Sequence, residues 1–243
     1  MALSHKSQAP HHRRSVRTYV RRNSSRITAA QRRSLDDLWD VYGIEPADKS
    51  FDFNKLFGRI APRILDIGSG MGSATVTMAR EHPENDYLAI EVYRPGVGRL
   101  LNRLNAEGLT NVRVVCHDAV EVLEHCVQTK TLDGVCIFFP DPWPKKRHHK
   151  RRMIRASFAS LLEKKLKTHG RVYIATDLDA YADEILGILD AHPGFINLAG
   201  RGSFAPRPRW RPLTKFEQRA HRLGHRIWDL VYARSDRHID GPF

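Results

Sequence analysis

The sequence contains little cysteine and no long apolar run. Only three of its 243 residues are cysteine, at positions 116, 126 and 136, without the paired C-x-x-C spacing of a structural zinc site. No apolar stretch approaches the roughly 18 residues of a membrane span, and the N-terminus carries no apolar secretory signal. These absences predict a soluble cytoplasmic protein in a reducing compartment, with no membrane contact.

Acidic residues are missing from the start of the chain. Asp36 is the first, and residues 1–33 contain one lysine and eight arginines, which supply +9 of the overall net charge of +13. Such a segment cannot bury enough apolar surface to offset its ordering entropy. We therefore predict a flexible basic arm over residues 1–33 that orders along a phosphate backbone. A solvated tail and a mitochondrial transit peptide are the alternatives.

The charge balance of the whole chain indicates a polyanionic partner. Forty Lys and Arg against 27 Asp and Glu favour nucleic acid or an anionic membrane surface. Hydrophobic residues make up 41% of the 243 positions, which is enough for the buried core of one large domain. We place that domain at residues 34–234 and a C-terminal tail at residues 235–243.

Short apolar strands alternate with helical segments from residue 63 onwards. The predicted strands are RILDI, YLAIEVY, VRVVCHDA, LDGVCIFFP and RVYIATD. Apolar residues recur at helical spacing over 73–81, 98–107 and 153–166. This alternation predicts an α/β fold in which a doubly wound, mostly parallel sheet carries helices on both faces. The final apolar run HRIWDLVYAR is expected to add edge strands.

A glycine-rich turn follows the first predicted strand and opens a helix. Gly68, Gly70 and Gly72 permit a tight turn and the close approach of a ligand. They lie at the strand ends, where open parallel sheets bind cofactors. The spacing by itself does not distinguish a nicotinamide cofactor from an adenosyl cofactor.

Three acids stand at the ends of successive predicted strands. Glu91 ends the second strand and Asp118 follows the third, and a carboxylate after the second strand suits the ribose of either cofactor. Asp66, beside the glycine turn, would repel the pyrophosphate of a dinucleotide, whereas S-adenosylmethionine has no phosphate and carries an ammonium and a sulfonium. Asp66 therefore favours S-adenosylmethionine. The alternative is that these acids are ordinary strand-end or N-cap residues.

The fourth predicted strand ends in an acid followed by a basic run. Two prolines restrict the backbone around Asp141, and six Lys and Arg residues lie within residues 145–152. This arrangement predicts a carboxylate at the mouth of the ligand crevice, beside a segment that neutralises phosphates. Trp143 is a candidate for stacking on a base, whereas Phe138 and Phe139 fit the core better. A solvated charged surface is the alternative for the basic run.

Six segments taken together are similar to one enzyme family. LDIGSGMG, AIEVYRPGVGRLL, CHDAVEVL, FFPDPWPKKRHHKRR, ATD and RPLTKFEQRAHRLGH, in this order and spacing, closely resemble the tRNA (guanine-N7-)-methyltransferase family over about residues 17–234. PDPWPKKRHHKRR and RPLTKFEQR are far more specific than the glycine turn. The resemblance implies a seven-stranded, Rossmann-like class I methyltransferase fold. It also implies that S-adenosylmethionine is the methyl donor and that a guanosine in the tRNA variable loop is the acceptor.

The resemblance also implies which residues form the site, with Asp141 as the catalytic residue. The implied donor site comprises Asp66, Gly68, Gly70, Gly72, Glu91, Asp118 and Asp141. The implied substrate site comprises Lys145, Asp177, Thr214, Lys215, Phe216 and Glu217, of which the last four are expected to form a loop over the base. The implied RNA-contacting stretch comprises Arg147, His148, His149, Lys150, Arg151 and Arg152.

Methylation at guanine N7 requires positioning more than proton transfer, because N7 has a free lone pair and needs no strong general base. Glu91 is expected to hold the donor ribose and Asp118 its adenine edge. Asp141 is expected either to fix the guanine edge or to stabilise the positive charge that develops on it. Asp177 and Glu217 are expected to accept hydrogen bonds from guanine N1 and N2.

Two positions depart from the family pattern. Asp66 stands where Glu is usual, and Ala220 stands where Gly usually follows TKFEQR. Alanine would strain a turn with positive φ but would favour a helix, and the sequence leaves both possibilities open. His221 and His225 have the i, i+4 spacing of a helical metal pair but no nearby third ligand, so we predict no metal.

Other functions remain alternatives at this point. Asp66 and the lack of a recognisable hydride-transfer site disfavour a nicotinamide dehydrogenase. A non-catalytic RNA-binding protein would not need all the donor-site acids, and a protein methyltransferase would leave the basic arm without an anionic partner. Monomer and homodimer are both compatible with the sequence.

Overall fold

The computed structural model describes residues 27–46 and 49–236, and these contain one seven-stranded sheet. The strands are β1 (Arg63–Ile67), β2 (Asp86–Ile90), β3 (Val112–Val115), β4 (Leu132–Phe138), β5 (Leu166–Thr176), β6 (Phe195–Asn197) and β7 (Trp228–Arg234). Their order is β3-β2-β1-β4-β5-β7-β6. Strands β1 to β5 pair in parallel, and β7 is antiparallel to both β5 and β6. The predicted seven-stranded, mostly parallel sheet is confirmed.

Helices connect the strands as the alternation predicts. They are α1 (Ala29–Tyr42), α2 (Phe53–Phe57), α3 (Ser73–Glu81), α4 (Arg94–Ala106), α5 (Ala119–Cys126), α6 (Ala156–Lys165), α7 (Asp179–Asp190) and α8 (Lys215–Arg222), with a 3-10 helix at Lys146–Arg151. Helix α3 matches its prediction. Helix α4 begins before residue 98 because Pro95 lies in its first turn, where a proline has no hydrogen bond to lose.

Each face of the sheet carries its own apolar core. On β1 and β2, Leu65 and Leu88 face one core, while Tyr87 and Ala89 face the other. Helices α5, α6 and α7 cover the first face, and α1, α3 and α4 cover the second. Burial of alternate residues on opposite faces explains why the strands read as continuous apolar runs. The doubly wound architecture follows from this two-sided burial.

Helix α1 joins the end of the predicted basic arm to the domain. Thr28 caps it in a capping box with Gln31, and the helix packs against α4. A Cβ on Gly98 of α4 would lie 2.5 Å from the carbonyl oxygen of Gln31, so the glycine permits this close packing. Residues 29–33 of the predicted arm therefore lie in a helix. Residues 1–26 of the arm and 237–243 of the predicted tail lie outside the described residues.

The last strand differs from its prediction. Strand β7 lies between β5 and β6 rather than at an edge, and the short β6 forms the edge instead. Leu230 and Tyr232 of β7 are buried, and the Tyr232 hydroxyl donates to Asp190 of α7 at 2.6 Å. These contacts hold β7 in the interior of the sheet. A strand that pairs with neighbours on both sides has no free edge.

Within the described ranges, no helix is both long enough and apolar enough to cross a bilayer.

Candidate active site

The glycine turn has a backbone that other residues rarely adopt. Gly68, Gly70 and Gly72 all have positive φ, at 77°, 58° and 76°. Gly72 is the N-cap of α3, and a Cβ there would overlap the Leu100 side chain of α4. A Cβ on Gly68, in contrast, would meet nothing within 4 Å. The turn is therefore packed tightly on its α4 side and open beside Gly68, as a ligand-binding turn requires.

Glu91 follows β2 and holds the glycine turn in place. Its Oε2 accepts from the backbone N–H of Gly70 at 2.7 Å, and its Oε1 accepts from that of Tyr93 at 2.8 Å. Burial raises the pKa of Glu91, these hydrogen bonds oppose the rise, and the negative charge of Asp141 adds to it. Each carboxylate oxygen has two lone pairs, so Glu91 retains acceptor capacity for a ligand. It can thus bind a diol while it fixes the turn.

Asp118 caps α5 in addition to any role at the ligand. Its Oδ1 accepts from the backbone N–H groups of Val120 at 2.8 Å and Glu121 at 3.3 Å. The alternative interpretation of the strand-end acids, that they are N-cap residues, is therefore correct for Asp118. Asp118 still lies just beyond β3, at the same sheet edge as the glycine turn.

Asp66 lies beneath the glycine turn rather than on it. The side chain is buried, and its Oδ2 accepts from the Thr75 hydroxyl of α3 at 2.6 Å. Burial raises the pKa of Asp66 from the ordinary 3.8 to about 6; the Thr75 hydrogen bond opposes the rise and the charge of Glu91 adds to it. The structure thus shows that Asp66 joins β1 to α3. Its direct contact with a ligand stays a prediction.

The buried Asp66 is expected to make stability fall as the pH rises from about 4 to 6. The folded protein keeps the Asp66 proton up to about pH 6, whereas the unfolded chain releases it near 3.8, so the folded state binds more protons across this window. The side chain of Asp66→Asn does not ionise, so we expect the free energy of unfolding of this variant to increase relative to that of the wild type by about 3 kcal/mol between pH 4 and 6. Outside this range the difference between the two proteins should stay constant.

Urea unfolding at a series of pH values measures this difference. Asp183→Asn, which changes an exposed acid on α7, is the control and should follow the wild-type curve. A stability difference between Asp66→Asn and the wild type that does not change between pH 4 and 6 would contradict the assignment.

The segment after β4 is held by aromatic contacts. Phe139 and Trp143 have positive φ values of 55° and 43°, which are strained for large side chains. The ring of Phe139 stacks on Phe216 of α8, with centroids 6.1 Å apart. Trp143 is 7% exposed and packs edge-on against His148, with Arg151 over its ring at 4.6 Å. The prediction that Trp143 stacks on a base is therefore wrong in this structure, because the ring is buried under the basic segment.

Asp141 lies exposed within this segment, between β4 and the 3-10 helix. Burial is the main cause of the raised pKa of Glu91, and the charge of Asp141 adds to it, so the two carboxylates are within electrostatic range of each other. One comes from the glycine-turn side of the site and the other from the β4 side. Asp141 therefore lies beyond the carboxyl end of β4, and its contact with a ligand stays a prediction.

The basic run divides into exposed and buried members. Lys146–Arg151 form the 3-10 helix, and none of its residues is buried. Partial desolvation and the neighbouring Arg147 and Arg151 lower the pKa of His148, which favours its neutral form. Lys145, just before this helix, is exposed. These side chains are available to a polyanion.

Arg152 is the exception in the basic run. It is 2% exposed, its Nε donates to the Pro142 carbonyl at 3.0 Å, and its guanidinium pairs with Glu184 of α7 and lies 4.6 Å from the Tyr181 ring. The prediction that Arg152 contacts RNA is therefore corrected, because its charge is used inside the protein. It anchors the basic segment to α7.

The TKFE motif forms the start of a helix, not the predicted loop. Thr214 is the N-cap of α8, and its hydroxyl accepts from the backbone N–H of Glu217 at 3.1 Å. The T-x-x-E spacing is a capping signal that is visible in the sequence. Lys215 and Phe216 begin the helix and are exposed, with Phe216 59% accessible. An exposed phenylalanine at a helix start beside the site is a candidate surface for a base.

Glu217 is buried in an ion network. It is 1% exposed, and both of its oxygens accept from Arg211, at 2.6 and 2.9 Å, while Arg207 donates to it at 2.9 Å. Arg211 also pairs with Asp229 of β7 at 2.7 Å. The prediction that Glu217 accepts hydrogen bonds from a guanine is corrected, because arginines occupy its oxygens. The network instead fixes α8 on the sheet.

Asp177 follows β5 directly and remains partly exposed. Its carboxylate lies 3.8 Å from His225, while His221 lies 3.8 Å from Glu217. The two histidines therefore contact different acids. Among residues 27–46 and 49–236, no group of three or more His, Cys, Asp or Glu is arranged to hold a metal ion.

The carboxyl ends of the parallel strands bring most of the predicted residues to one edge of the sheet. The described structure places there the glycine turn, Glu91, Asp118, Asp141 and Asp177. Thr75, Arg207, Arg211 and Asp229 support the site, and sequence reasoning missed all four. No sequence signal marks a buried arginine: Arg211 pairs with Glu217 and Asp229 further along the chain, and the burial of these three side chains is a property of the folded chain.

Comparisons with known proteins agree with this architecture. Residues 60–230 match the model of a family described as "Putative methyltransferase". The tRNA (guanine-N(7)-)-methyltransferase of Hydrogenovibrio crunogenus is 48% identical over 93% of this chain and 93% of its own length. The protein of the same name from Pseudomonas aeruginosa strain PAO1 is 50% identical over 92% of this chain and 91% of its own length. This chain belongs to the tRNA (guanine-N7-)-methyltransferase family.

The fold of this tRNA (guanine-N7-)-methyltransferase family member is also found among solved structures. The 16S rRNA methyltransferase KamB aligns with a TM-score of 0.53 at 15% identity, covering 76% of this chain and 94% of that one. A SAM-dependent O-methyltransferase from Thermotoga maritima aligns with a TM-score of 0.50 at 18% identity, covering 77% of this chain and 65% of that one. At these identities the likeness concerns the fold alone. It confirms the class I methyltransferase architecture.

The structure also decides one of the two departures from the pattern of the tRNA (guanine-N7-)-methyltransferase family. Ala220 lies within α8 and is 1% exposed. Alanine is the best helix former, so it favours this conformation and strains no turn. The change is compatible with the family fold.

Proposed function

We propose that this chain transfers the methyl group of S-adenosylmethionine to N7 of a guanosine in the variable loop of tRNA. One observation carries the proposal. A glycine turn, the carboxylates of Glu91 and Asp141 and an exposed basic 3-10 helix meet at one edge of the sheet. This site lies in a chain that is about half identical to tRNA (guanine-N(7)-)-methyltransferases over more than nine-tenths of its length. Family, fold and local chemistry support the same activity.

The residues present fit the methyl donor. Glu91 keeps free lone pairs beside the turn, and the space beside Gly68 is open. The Ser69 hydroxyl of the same turn is buried and has no hydrogen-bond partner among the described residues, which suits a polar ligand group. The acidic surroundings favour a cation and disfavour a pyrophosphate. Glu91 would hold the ribose, and Asp118 would accept from the adenine edge.

The chain contributes orientation and charge to the reaction. When bound, the donor would supply a sulfonium methyl group: the lone pair of guanine N7 would form the new nitrogen–carbon bond in line as the carbon–sulfur bond breaks, so that the sulfur leaves as a neutral thioether and the positive charge passes to the guanine. Asp141 is exposed at the site and lies near Glu91, so its carboxylate stabilises the positive charge that develops on the guanine. Asp177 accepts from the guanine edge in place of the buried Glu217. No side chain has to remove a proton before methyl transfer.

The exposed cations beside the site bind the RNA. Lys145, Arg147, Lys150 and Arg151 neutralise phosphates. Phe216, stacked on Phe139 and still exposed, presents an apolar face to a base. The basic arm would add further phosphate contacts.

Transfer of labelled methyl from S-adenosylmethionine to unmodified tRNA tests this function. We expect label at guanine N7 in the variable loop, mapped by cleavage at the modified base, and no label on a tRNA whose variable-loop guanosine is replaced by adenosine. Donor binding without label on any tRNA would reject the proposal in favour of a protein methyltransferase or a non-catalytic RNA-binding protein. Failure to bind the donor would reject the donor site itself.

A further inference from the structure

Helix α8 carries three cations on one face, here called the α8 basic stripe: Lys215, Arg219 and Arg222. Their i, i+4 and i+7 spacing places them along one side of the helix. All three are exposed, whereas Glu217 and Ala220, on the opposite side, are buried. The stripe therefore faces directly away from the core.

Among the described residues, no acid pairs with the stripe. Residues 198–228 contain eight Lys and Arg but one acid, Glu217, and Arg207 and Arg211 already occupy it. Within the described part of the chain, no carboxylate forms an ion pair with Lys215, Arg219 or Arg222. An uncompensated row of cations produces a positive potential that attracts a polyanion.

The stripe lies at the same sheet edge as the basic 3-10 helix. Helix α8 leads into β7, whose first residue Trp228 pairs with Thr176 at the carboxyl end of β5. The stack of Phe216 on Phe139 joins α8 to the segment that begins the basic run. The active site thus has basic surface on both the 3-10 helix and α8.

The support of the stripe is rigid. Arg211 joins Glu217 of α8 to Asp229 of β7 through hydrogen bonds of 2.6 to 3.0 Å in the interior. Positions 215 and 222 are separated by about 10 Å along the helix axis. A fixed row of this length suits successive phosphates of one strand.

We propose that the α8 basic stripe binds phosphates of the tRNA, as a second RNA-binding surface beyond the 3-10 helix. This inference rests on the proposed function. The stripe adds phosphate contacts on α8 to those of the 3-10 helix at the same sheet edge. It contributes to RNA affinity and does not contact the methyl donor.

The test compares two charge-removing double variants. Arg219→Gln/Arg222→Gln removes two charges of the stripe. Lys130→Gln/Lys164→Gln removes two exposed charges where β4 and β5 begin, at the opposite edge of the sheet. We expect the stripe variant to raise the Kd for unmodified tRNA about tenfold and to reduce the slope of log K against log salt by about 2. The control should retain the wild-type slope.

Steady-state kinetics and a charge-conserving variant complete the test. The stripe variant should raise KM for tRNA while kcat and the Kd for S-adenosylmethionine stay within twofold of the wild type. Arg219→Lys/Arg222→Lys should recover most of the tRNA affinity. Equal tRNA affinity and salt slope in the stripe and control variants would overturn the inference, provided that the wild type methylates tRNA.

Two further outcomes keep the alternatives distinct. If the wild type transfers no methyl group to tRNA, the proposed function fails and the inference fails with it. If the stripe variant loses binding only to vesicles of phosphatidylglycerol and phosphatidylcholine, and not to tRNA, the stripe is a membrane-binding surface and the inference is overturned.

Discussion

Asp141→Ala is expected to lower kcat/KM for tRNA methylation about 10²- to 10³-fold. The carboxylate is exposed beyond β4 and influences the pKa of Glu91, and the proposed function places it where positive charge develops on the guanine as the methyl group arrives. A fixed charge aimed at a transition state loses no energy to solvent reorganisation during the reaction, so its removal acts mainly on kcat. Single-turnover transfer of labelled methyl, with saturating donor, measures the effect.

Two variants distinguish a chemical role from a positional one. Asp141→Asn keeps the shape and hydrogen-bonding capacity of the side chain but not its charge, and it should remain close to the alanine variant if charge stabilisation dominates. Asp183→Ala, which removes an exposed acid on α7, should keep wild-type activity. A tenfold or smaller loss in Asp141→Ala would mean that the role assigned to this carboxylate is wrong.

Arg211→Met is expected to lower the free energy of unfolding by about 3 to 5 kcal/mol. Arg211 is fully buried between Glu217, which is 1% exposed, and Asp229, which is 4% exposed. Methionine fills a similar volume but leaves two buried carboxylates without this partner. Burial raises the pKa of Glu217, and hydrogen bonds from Arg211 and Arg207 outweigh it and lower that pKa, so these contacts stabilise the charged form. Urea unfolding at neutral pH measures the loss.

Matched variants show whether the loss comes from the unpaired charges. Arg209→Met, which changes an exposed arginine nearby, should alter stability by no more than about 0.5 kcal/mol. The triple variant with Glu217→Gln and Asp229→Asn should recover part of the stability that Arg211→Met loses, because it removes the unpaired carboxylates. If the triple variant is no more stable than Arg211→Met, then lost packing, not charge, accounts for the effect.

The ion network connects this stability to function. Helix α8 carries Phe216 and the α8 basic stripe, and Arg211 ties Glu217 of this helix to Asp229 of β7. Loosening α8 should therefore move the surface that faces the base, even though Arg211 touches no ligand. A variant in which this network is weakened but the sheet stays folded should have a higher KM for tRNA, while its affinity for the methyl donor should change less.

The local pattern of the sequence determined the layers of the fold and the position of the cofactor turn. Apolar segments of strand length alternate with segments of helical periodicity. Few folds other than a parallel sheet covered by helices on both faces are compatible with this pattern. The glycines at positions 68, 70 and 72 follow a strand, and only glycine adopts three alternate positive φ values without strain. Strand ends in such a sheet share one edge, so the acids after β2, β3 and β4 were predictable neighbours.

Burial and ion pairing in the folded chain select which charged residues remain exposed at the site. Arg152 and Arg147 look equivalent in the sequence, yet Arg152 is buried against Glu184, 32 residues away along the chain. Glu217 belongs to one of the two most specific motifs, yet its carboxylate is buried and pairs with Arg211 and Arg207. Whether a long charged side chain points outward or inward depends on a partner brought close by folding. No local pattern contains that information.

The place of the last strand depended on the same kind of long-range pairing. An apolar run predicts that β7 is a strand but not which neighbours it pairs with, and β7 lies between β5 and β6 because Tyr232 and Leu230 bury their side chains there. That insertion brings α8, which precedes β7, to the ligand edge. The residue types and their local pattern thus predict the chemistry available to this protein. Which residues apply that chemistry depends on folding, because hydrogen-bond partners and burial are properties of the folded chain.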